Sequence, residues 1–435
     1  MTTESVKTEV GSYFITNYPP YSQWQAEHID LLQAALARPP RDVALGLYLH
    51  IPFCRKRCKF CYYKVYTGKN AGDIELYMRA LETEIERISG QPCIGDRPFR
   101  FVYFGGGTPS FISVRQLESL ADRLRRHIAW DQAEEVTFEC EPGTLSEAKV
   151  RAIRDMGVTR LSLGVEHFDD EILELNGRAH LSAEIERAWE WIVQTGFPNV
   201  NVDLIAGMVG ETWERWKETV RRTLAMAPDS VTIYQMELPY NTLISQEVLK
   251  EQTETPVADW PTKRAWVDYA FAQFEAAGYA VNSAYTVVKD PERVQFRYRD
   301  HLFHGSDLLA AGIASFGHIS GVHYQNLPEW NDYLASLLEE DHLPLWRAYA
   351  PTPDQLLIRE MILVLKTGRL DRQAFLDKHG VDIVERWRGE WEVHARDGFL
   401  TIGESGIELT RRGLLQVDSL LPAFFEPQFR GVRYT

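Results

Sequence analysis

The chain has 435 residues, and its 62 acidic against 47 basic side chains give it a formal net charge of −15. This acidic balance argues against a nucleic-acid-binding protein, because a polyanion is repelled at long range. No run of about eighteen apolar residues predicts a membrane span, and the N-terminus lacks the charged-then-apolar pattern of a secretory signal.

Strand-like and helix-like segments alternate through residues 43–250. They follow an N-terminal lead-in, residues 1–42, which is marked by Pro and aromatic side chains and has an amphipathic stretch from Trp24 to Leu36. The predicted strands are 44–51, 101–104, 136–139, 161–165, 200–205 and 231–234, and the predicted helices lie at about 77–88, 117–128, 146–156, 182–195 and 212–225. Six strands with helical crossovers predict a parallel sheet in an α/β fold, with the functional site at the carboxyl ends of the strands.

The C-terminal part has a different pattern. Residues 351–425 predict short helices followed by a tight pair of strands, 398–402 and 407–410, which is typical of a small winged-helix-like cap. We therefore divide the chain into four parts. They are an N-terminal extension (1–42), a core (43–250), a connecting and closing segment (251–345) and a C-terminal cap domain (346–435).

The most informative feature is a cluster of cysteines after the first predicted strand. The chain has five cysteines, too few and odd in number for a disulfide framework, and Cys54, Cys58 and Cys61 have the spacing C-x-x-x-C-x-x-C. Three cysteines on a [4Fe–4S] cluster leave one iron open to a small chelating molecule. The alternatives are three unbound surface thiols, or a structural zinc completed by His50. Cys93 and Cys140 are isolated in the sequence, and we assign them no chemistry.

This cysteine spacing, with Phe60 before the last cysteine, resembles the cluster signature of the radical S-adenosylmethionine (SAM) enzymes. The run from Tyr48 to Cys54, YLHIPFC, is similar to one branch of them. That branch contains oxygen-independent coproporphyrinogen III dehydrogenase (oxidase), related haem chaperones, methyltransferases and cyclopropanases. The resemblance extends from Tyr48 to about Phe425. It implies a partial TIM-type (βα)6 barrel with an N-terminal extension and a small winged-helix-like cap.

The same resemblance implies the cofactors and their chemistry. Cys54, Cys58 and Cys61 would hold a [4Fe–4S] cluster, and the amino and carboxylate groups of SAM would bind its open iron. One electron from the reduced cluster then cleaves SAM into methionine and a 5′-deoxyadenosyl radical. The cofactor carries the difficult chemistry, and the protein positions it and excludes water and oxygen.

Candidate SAM contacts follow the predicted strands. Gly105–Thr108 (GGGT) lets the backbone approach a ligand, and its N–H groups can bind a carboxylate, although a tight turn explains it equally well. Glu139 suits the SAM amine or ribose, and Glu141 competes with it because alternation turns both to one face. Tyr48 is expected beside the cluster, with a polar partner for its hydroxyl. The catalytic candidates are Tyr48 and the three cysteines. The predicted cofactor contacts are Tyr48, Phe60, Gly106, Gly107, Thr108, Glu139, Glu166, Arg178, Asp203, Met236, Gly312 and Phe316.

Two positions depart from the dehydrogenases in this branch. They generally carry Gln where this chain has Glu166, and a further Cys where it has Tyr63. An ionised Glu cannot donate a hydrogen bond, so a Gln-type contact to a second ligand is in doubt. Arg178 clamps a carboxylate in one interpretation, and forms a surface ion pair with Asp169 or Asp170 in the other.

The cysteine loop is positively charged, although the chain as a whole is negatively charged. It has no acidic residue between Cys54 and Lys69, and its six cations are Arg55, Lys56, Arg57, Lys59, Lys64 and Lys69. These cations offset the negative charge of the cluster and thiolates in one interpretation. In the other they dock an acidic electron donor such as a flavodoxin, or carboxylates of the substrate.

Three functions remain open at this stage. We favour a tetrapyrrole substrate whose propionate loses a β-hydrogen and then CO₂, as in coproporphyrinogen III oxidation. The second is a radical methyltransferase or cyclopropanase that uses two SAM molecules on an aromatic or polyketide-like scaffold. The third is a non-catalytic haem chaperone, for which the candidate ligands are His301, His304, His318 and His323. In each case we expect a monomer in the reducing cytoplasm.

Overall fold

A long mixed sheet organises the computed structural model, which describes residues 14–250 and 257–432. Its central six strands are parallel and neighbour each other in chain order. They are β1 (Leu45–Ile51), β2 (Phe99–Gly106), β3 (Glu135–Cys140), β4 (Arg160–Glu166), β5 (Asn199–Ala206) and β6 (Ser230–Gln235). The two ends of the sheet do not pair with each other within the described residues, so the barrel is incomplete. The predicted α/β fold with a partial TIM-type barrel is confirmed.

Helices that follow the predicted spacing connect these strands. The sequence around Asn70 and around Ser113 starts two of them with capping boxes, in which the cap side chain and the N3 side chain satisfy each other's backbone N–H. The helices are α1 (Ile29–Leu36), α2 (Ala71–Ser89), α3 (Val114–Leu124), α4 (Glu147–Asp155), α5 (Asp170–Leu175), α6 (Ser182–Thr195) and α7 (Trp213–Met226). Their apolar faces bury against the sheet in one continuous core.

The connecting segment, which was predicted only to connect and close, also extends the sheet at both edges. Beyond β6 lie β8 and then β7, and beyond β1 lie β9, β10, β11 and β12. The strands are β7 (Ala280–Ser283), β8 (Thr286–Val288), β9 (Asp307–Ala311), β10 (Phe316–Ile319), β11 (Val322–Asn326) and β12 (Leu345–Tyr349), and the helices are α8 (Leu243–Leu249), α9 (Trp260–Ala276), α10 (Arg297–Phe303) and α11 (Trp330–Leu338). Strand β9 is parallel to β1, whereas β10, β11 and β12 are antiparallel.

The C-terminal part forms its own core beside the barrel. Its helices precede an antiparallel pair of strands, as the sequence pattern predicts, and a third short strand joins that pair in the order β13-β15-β14. The elements are α12 (Pro353–Leu365), β13 (Arg369–Asp371), α13 (Arg372–His379), α14 (Ile383–Arg386), α15 (Arg388–Arg396), β14 (Leu400–Ile402), β15 (Gly406–Leu409), α16 (Arg411–Leu414) and α17 (Val417–Leu420).

The described part of the lead-in joins the cap to the sheet. Tyr18 is fully buried in the cap core and its hydroxyl donates to Glu426 Oε2 at 3.1 Å. Trp24 stacks on His323 of β11 with ring centroids 5.2 Å apart. The amphipathic stretch predicted from Trp24 becomes helical only at α1, after two short 3₁₀ turns. None of the helices among the described residues is long and apolar enough to cross a membrane.

Candidate functional site

A cavity of about 620 Å³ lies at the carboxyl ends of the parallel strands. Its wall is formed by the cysteine loop, the ends of β2 to β6, the first turns of α9 and the cap residues 414–419. Cys54, Cys58 and Cys61 all line it. Its volume is typical of sites for small molecules and cofactors.

Backbone hydrogen bonds fix the cysteine loop in place. Cys54 N donates to Tyr66 O at 3.1 Å, and Cys61 N donates to Cys58 O at 3.2 Å. Between them, Lys59 N donates to Asn176 O at 3.0 Å. Main-chain hydrogen bonds therefore tie the backbone of the cysteine loop to its neighbours.

The environment of the sulfurs suits thiolates that bind a cluster. Cys54 Sγ accepts a hydrogen bond from Thr108 Oγ1 at 3.3 Å, and Cys58 Sγ accepts one from Arg178 Nη1 at 3.3 Å. Burial raises the pKa of Cys54 to about 11 and that of Cys61 to about 12, and the neighbouring thiols add to both shifts. Iron binding to these buried thiols must therefore release protons.

The zinc alternative has no support in the described residues. They contain no group of three His, Cys, Asp or Glu side chains placed around a single metal ion. A cubane cluster does not need such a group, because each cysteine binds a different iron. Both ring nitrogens of His50 already have partners: Nδ1 is 3.1 Å from Tyr48 Oη and Nε2 is 3.3 Å from Lys64 O.

The glycine motif serves the close approach of two strands. Gly106 has φ +113°, and a Cβ added there would lie 2.5 Å from the His50 ring. The N–H groups of Gly107 and Thr108 donate to Ile51 O at 2.9 Å and to Phe53 O at 2.8 Å. The prediction that the glycine N–H groups bind a ligand carboxylate is therefore wrong for Gly107, because a main-chain oxygen of the neighbouring segment already accepts from its N–H.

Glu139 is the buried carboxylate at the end of β3. Its Oε1 accepts from Tyr103 Oη at 2.6 Å, and its Oε2 accepts from Gly106 N at 3.2 Å. Burial raises the pKa of Glu139 to about 7, and the charge of Asp203 adds to the increase, although the two hydrogen bonds oppose it. The carboxylate therefore lies in a place where a positively charged ligand lowers its energy.

Asp203, on β5, is a second carboxylate of the cavity wall. Its oxygens accept from Ser162 Oγ at 2.6 Å and from Asn201 Nδ2 at 2.9 Å. Burial raises the pKa of Asp203 to about 6 in spite of these bonds. Ser230 Oγ in turn donates to Asn201 Oδ1 at 2.8 Å, so a chain of polar groups across three strands orients this carboxylate.

Glu166 and Arg178 form a pair next to the second cysteine. Glu166 has a left-handed backbone, φ +64°, at an irregularity in the pairing of β4 with β5. Arg178 Nη1 lies 3.6 Å from Glu166 Oε1, and Nη2 donates to Gly164 O at 2.8 Å. Burial raises the pKa of Glu166 to about 7, although Arg178 opposes the shift. A strained residue of this kind is typical of functional sites.

Arg178 does not make the surface ion pair that was its alternative interpretation. Asp169 pairs with Arg215, and Asp170 accepts a hydrogen bond from Ser182 N. The Nε of Arg178 is buried without a hydrogen-bond partner among the described residues, so the guanidinium retains a donor for a ligand in the cavity.

Glu141 shares the wall with Glu139, as alternation predicts, but its partners differ. It accepts hydrogen bonds from Arg55 Nη2 at 3.1 Å and pairs with His180 Nδ1 at 3.0 Å. Burial acts to raise the pKa of Glu141, but His180 and the nearby arginines outweigh it and lower the pKa to about 2. This carboxylate is committed to internal partners, which leaves Glu139 as the better ligand contact.

The structure brings most of the predicted residues to one cavity. Those that line it are Cys54, Cys58, Cys61, Phe60, Gly106, Gly107, Thr108, Glu139, Glu166, Arg178, Asp203 and Met236. Tyr48, Gly312 and Phe316 do not line it. Tyr48 stacks on Tyr103 with centroids 5.9 Å apart, and its hydroxyl has the polar partner that burial requires, His50.

The two candidates from the closing segment pack elsewhere. Gly312 donates its N–H to Glu84 Oε2 at 2.9 Å, and a Cβ there would lie 2.6 Å from Tyr77 Oη. Phe316 packs against Tyr21 of the lead-in, with centroids 4.4 Å apart. Both residues fasten β9 and β10 to their neighbours in this structure.

One part of the cavity wall has no signal in the sequence. That part contains Gln235, Arg264, Tyr285 and Asp418, together with Phe14 of the lead-in. The Tyr285 hydroxyl donates to Asp418, whose other oxygen lies 2.7 Å from Lys366 Nζ. These five wall residues come from five separate segments, so no spacing rule could have grouped them.

The four candidate haem-ligating histidines are dispersed. His318 and His323 are buried against each other, Nδ1 to Nδ1 at 2.9 Å. His301 stacks on Phe101, and His304 is exposed and contacts Asp300 O at 2.7 Å. None of the four lines the cavity.

Internal acids neutralise part of the basic loop. Arg55 pairs with Glu141, Lys59 Nζ lies 3.3 Å from Glu247, and Lys64 Nζ lies 2.8 Å from Glu329. Lys69 lies over the Trp330 ring at 3.7 Å, and Arg57 donates to Cys61 O at 3.2 Å. Lys56 is exposed at the rim of the cavity and makes no ion pair within the described residues.

Comparison with known proteins agrees with this geometry. Residues 48–223 match the model of the radical SAM superfamily. Oxygen-independent coproporphyrinogen III oxidase of Salmonella typhimurium is 26% identical, over 94% of this chain and 91% of its own length. Heme chaperone HemW of Bacillus subtilis is 25% identical, over 87% and 98%.

A solved structure shares the whole fold. Coproporphyrinogen III oxidase (HemN) from Escherichia coli superimposes with a TM-score of 0.81 at 24% identity, and the match covers 94% of this chain and 96% of that one. This likeness shows the fold, including the edges of the sheet and the cap.

Proposed function

We propose that this chain, a radical SAM protein homologous to coproporphyrinogen III oxidases and haem chaperones, is an enzyme that oxidatively decarboxylates a side chain of a tetrapyrrole. One observation carries the proposal. Three cysteines with cluster spacing share one cavity with the carboxylates Glu139, Glu166 and Asp203. The radical SAM family implies a [4Fe–4S] cluster and SAM, and these residues fit both groups.

Electrostatics supports SAM as the ligand beside the cysteines. Burial raises the pKa of Glu139, Glu166 and Asp203, so their negative charges lack full compensation inside the protein. SAM carries a sulfonium and an ammonium group, and both are attracted to this side of the cavity. Arg178, with its unpartnered Nε, suits the carboxylate of the same ligand.

When bound, the reduced cluster and SAM supply the one-electron chemistry. The chain's own residues hold the reactants. Thr108 and Arg178 donate to the sulfurs of Cys54 and Cys58, and Tyr103 and Gly106 orient Glu139. Residues 414–419 of the cap form part of the cavity wall.

The tetrapyrrole rests on the relatives and on the cavity wall. Coproporphyrinogen III oxidases match along 94% of this chain. The wall carries the aromatic rings of Tyr62, Tyr63, Tyr234 and Tyr285, which suit a large ring substrate of mixed polarity. Tyr62 and Tyr63 stack with centroids 4.6 Å apart beside the cysteine loop.

A second candidate is radical methyl or methylene transfer with two SAM molecules. It is favoured by Glu166, a third buried carboxylate where the dehydrogenases generally carry Gln, because the extra negative charge suits a second sulfonium. Tyr63, where those enzymes carry a further Cys, also fits this reading. Glu166→Gln should then weaken the binding of one SAM but leave the other, which equilibrium dialysis on the reconstituted protein measures as a stoichiometry that falls from two to one.

The main test is an anaerobic assay with coproporphyrinogen III. After reconstitution we expect about four irons per chain, SAM cleavage to methionine and 5′-deoxyadenosine, and release of CO₂ detected by mass spectrometry. Cys58→Ala should abolish cleavage, whereas Cys93→Ala, at a buried cysteine remote from the cavity, should not. A methylated product with S-adenosylhomocysteine indicates the second candidate, and tight haem binding with neither product indicates a chaperone.

The electron donor is part of the same proposal. An acidic one-electron carrier such as a flavodoxin would dock at the cysteine loop, where exposed Arg55 and Lys56 border the cavity. The ion pair of Arg55 with Glu141 gives that residue an internal role as well, so Lys56 is the cleaner residue for a docking test.

A further inference from the structure

Arg264 is an arginine on the wall of the cavity that the reaction described above does not use. It lies in the second turn of α9 and lines the cavity together with Trp260 and Pro261. Its Nε is buried without a hydrogen-bond partner, and it makes no ion pair within the described residues. Its guanidinium carbon lies 6.0 Å from the Trp260 ring centroid.

The other arginines of the cavity have acceptors for part of their guanidinium groups, although the Nε atoms of Arg57 and Arg178 are also buried without a partner. Arg55 pairs with Glu141, Arg178 with Glu166, and Arg57 donates to Cys61 O. A buried guanidinium donor without an acceptor costs free energy unless a ligand supplies one. Burial is the cause that lowers the pKa of Arg264, and no acidic side chain opposes it.

A second unsatisfied group lies on the same side. Gln235 at the end of β6 donates from Nε2 to Leu415 O of the cap at 2.9 Å, but its buried Oε1 has no partner. The neighbours of these two residues touch: Lys263 Nζ donates to Met236 O at 2.6 Å, and Lys263 is fully buried. This contact joins the start of α9 to the end of β6. Arg264 and Gln235 therefore lie on adjoining parts of the cavity wall.

We propose that Arg264 binds a carboxylate of the substrate. In the same proposal, Gln235 Oε1 accepts a hydrogen bond from an N–H group of the tetrapyrrole ring. This inference rests on the proposed function. It names the groups of the tetrapyrrole that Arg264 and Gln235 recognise. A planar guanidinium accepts a carboxylate through two parallel hydrogen bonds, which fixes the orientation of the ring as well as binding it.

The test measures binding to the full-length, cluster-free chain, so it does not depend on activity. The probes are coproporphyrin III, an air-stable tetracarboxylate, and its tetramethyl ester, each titrated by fluorescence. The variants are Arg264→Ala and Arg264→Lys, and the control is Arg396→Ala, at an exposed arginine of α15. Arg264→Ala should weaken binding of the acid by about 10- to 100-fold, the size expected for a charged hydrogen bond, and leave the ester unchanged.

The outcomes separate the two proposals. Arg264→Lys should recover part of the affinity for the acid, because it keeps the charge but loses the planar fork. Unchanged affinity for the acid in Arg264→Ala, or an equal loss for acid and ester, overturns the carboxylate site while the tetrapyrrole stands. If the wild-type chain binds neither probe, the tetrapyrrole fails and the site fails with it. Binding of the ester serves as the check that each variant is folded.

Discussion

Glu139→Gln should stabilise the cluster-free protein at neutral and alkaline pH. Gln has the same shape, and its groups can satisfy both partners: Nε2 donates to Tyr103 Oη, which can accept, and Oε1 accepts from Gly106 N. The substitution therefore removes the charge and keeps the hydrogen bonds.

The magnitude follows from the pKa of Glu139, which burial raises from 4.5 to about 7. Between these values the folded state binds more protons than the unfolded state, so stability falls as pH rises through this window. With 1.36 kcal/mol for each unit of pKa, the ionised carboxylate costs on the order of 3 kcal/mol at pH 8 and on the order of 1 kcal/mol at pH 5. Glu139→Gln removes this cost.

Urea unfolding of the cluster-free chain at pH 5, 6, 7 and 8 measures the effect. The variant should gain stability over the wild type, and the gain should increase by on the order of 2 kcal/mol from pH 5 to pH 8. Glu118→Gln, at an exposed position of α3, is the matched control and should show no such trend. A gain that is the same at every pH, or a loss at pH 8, would refute the reasoning.

Two further variants test the loop and the glycine motif. Lys56→Glu should slow reduction of the cluster by flavodoxin several-fold and leave reduction by dithionite unchanged, because only the protein donor meets the reversed charge; equal rates with flavodoxin would contradict docking there. Gly106→Ala should destabilise the chain by at least about 2 kcal/mol more than Gly68→Ala in urea unfolding. Both glycines have positive φ, but an added Cβ meets His50 at position 106 and open space at position 68. Equal losses would show that the backbone conformation alone matters.

Sequence reasoning predicted the central sheet well because every strand has readable apolar residues, as a run in β1 and β2 and in alternation with polar residues in β3 to β5. All six predicted strands lie within β1 to β6 to within a residue at their ends. It missed the extensions of the sheet because β7 to β12 have only three to five residues. Strands this short carry no readable alternation, and their pairing is set by tertiary contacts.

The candidate site was predictable where a motif is local. The cysteines, the glycines and the acids that end the strands are adjacent to their own signals in the sequence. Arg264 and Gln235 have no such signal. They are distinguished only by a buried side-chain atom without a hydrogen-bond partner, which the folded structure alone shows. The alternative reading of Arg178 as a surface residue failed for a similar reason: its partners, Cys58 and Glu166, are brought together by two different loops.

The polar support around the carboxylates explains why the site keeps an unfavourable charge. Asp203 is held by Ser162 and Asn201, and Asn201 is held in turn by Ser230 and Thr232, all on neighbouring strands of one sheet. Turning this carboxylate away from its place would break its hydrogen bonds with Ser162 and Asn201. A cationic ligand then gains an attraction that the protein has prepared in advance, without reorganising dipoles when it binds. The free energy that buried acids cost the empty site is thus recovered on binding, which is why the same substitutions should stabilise the cluster-free chain and weaken its hold on SAM.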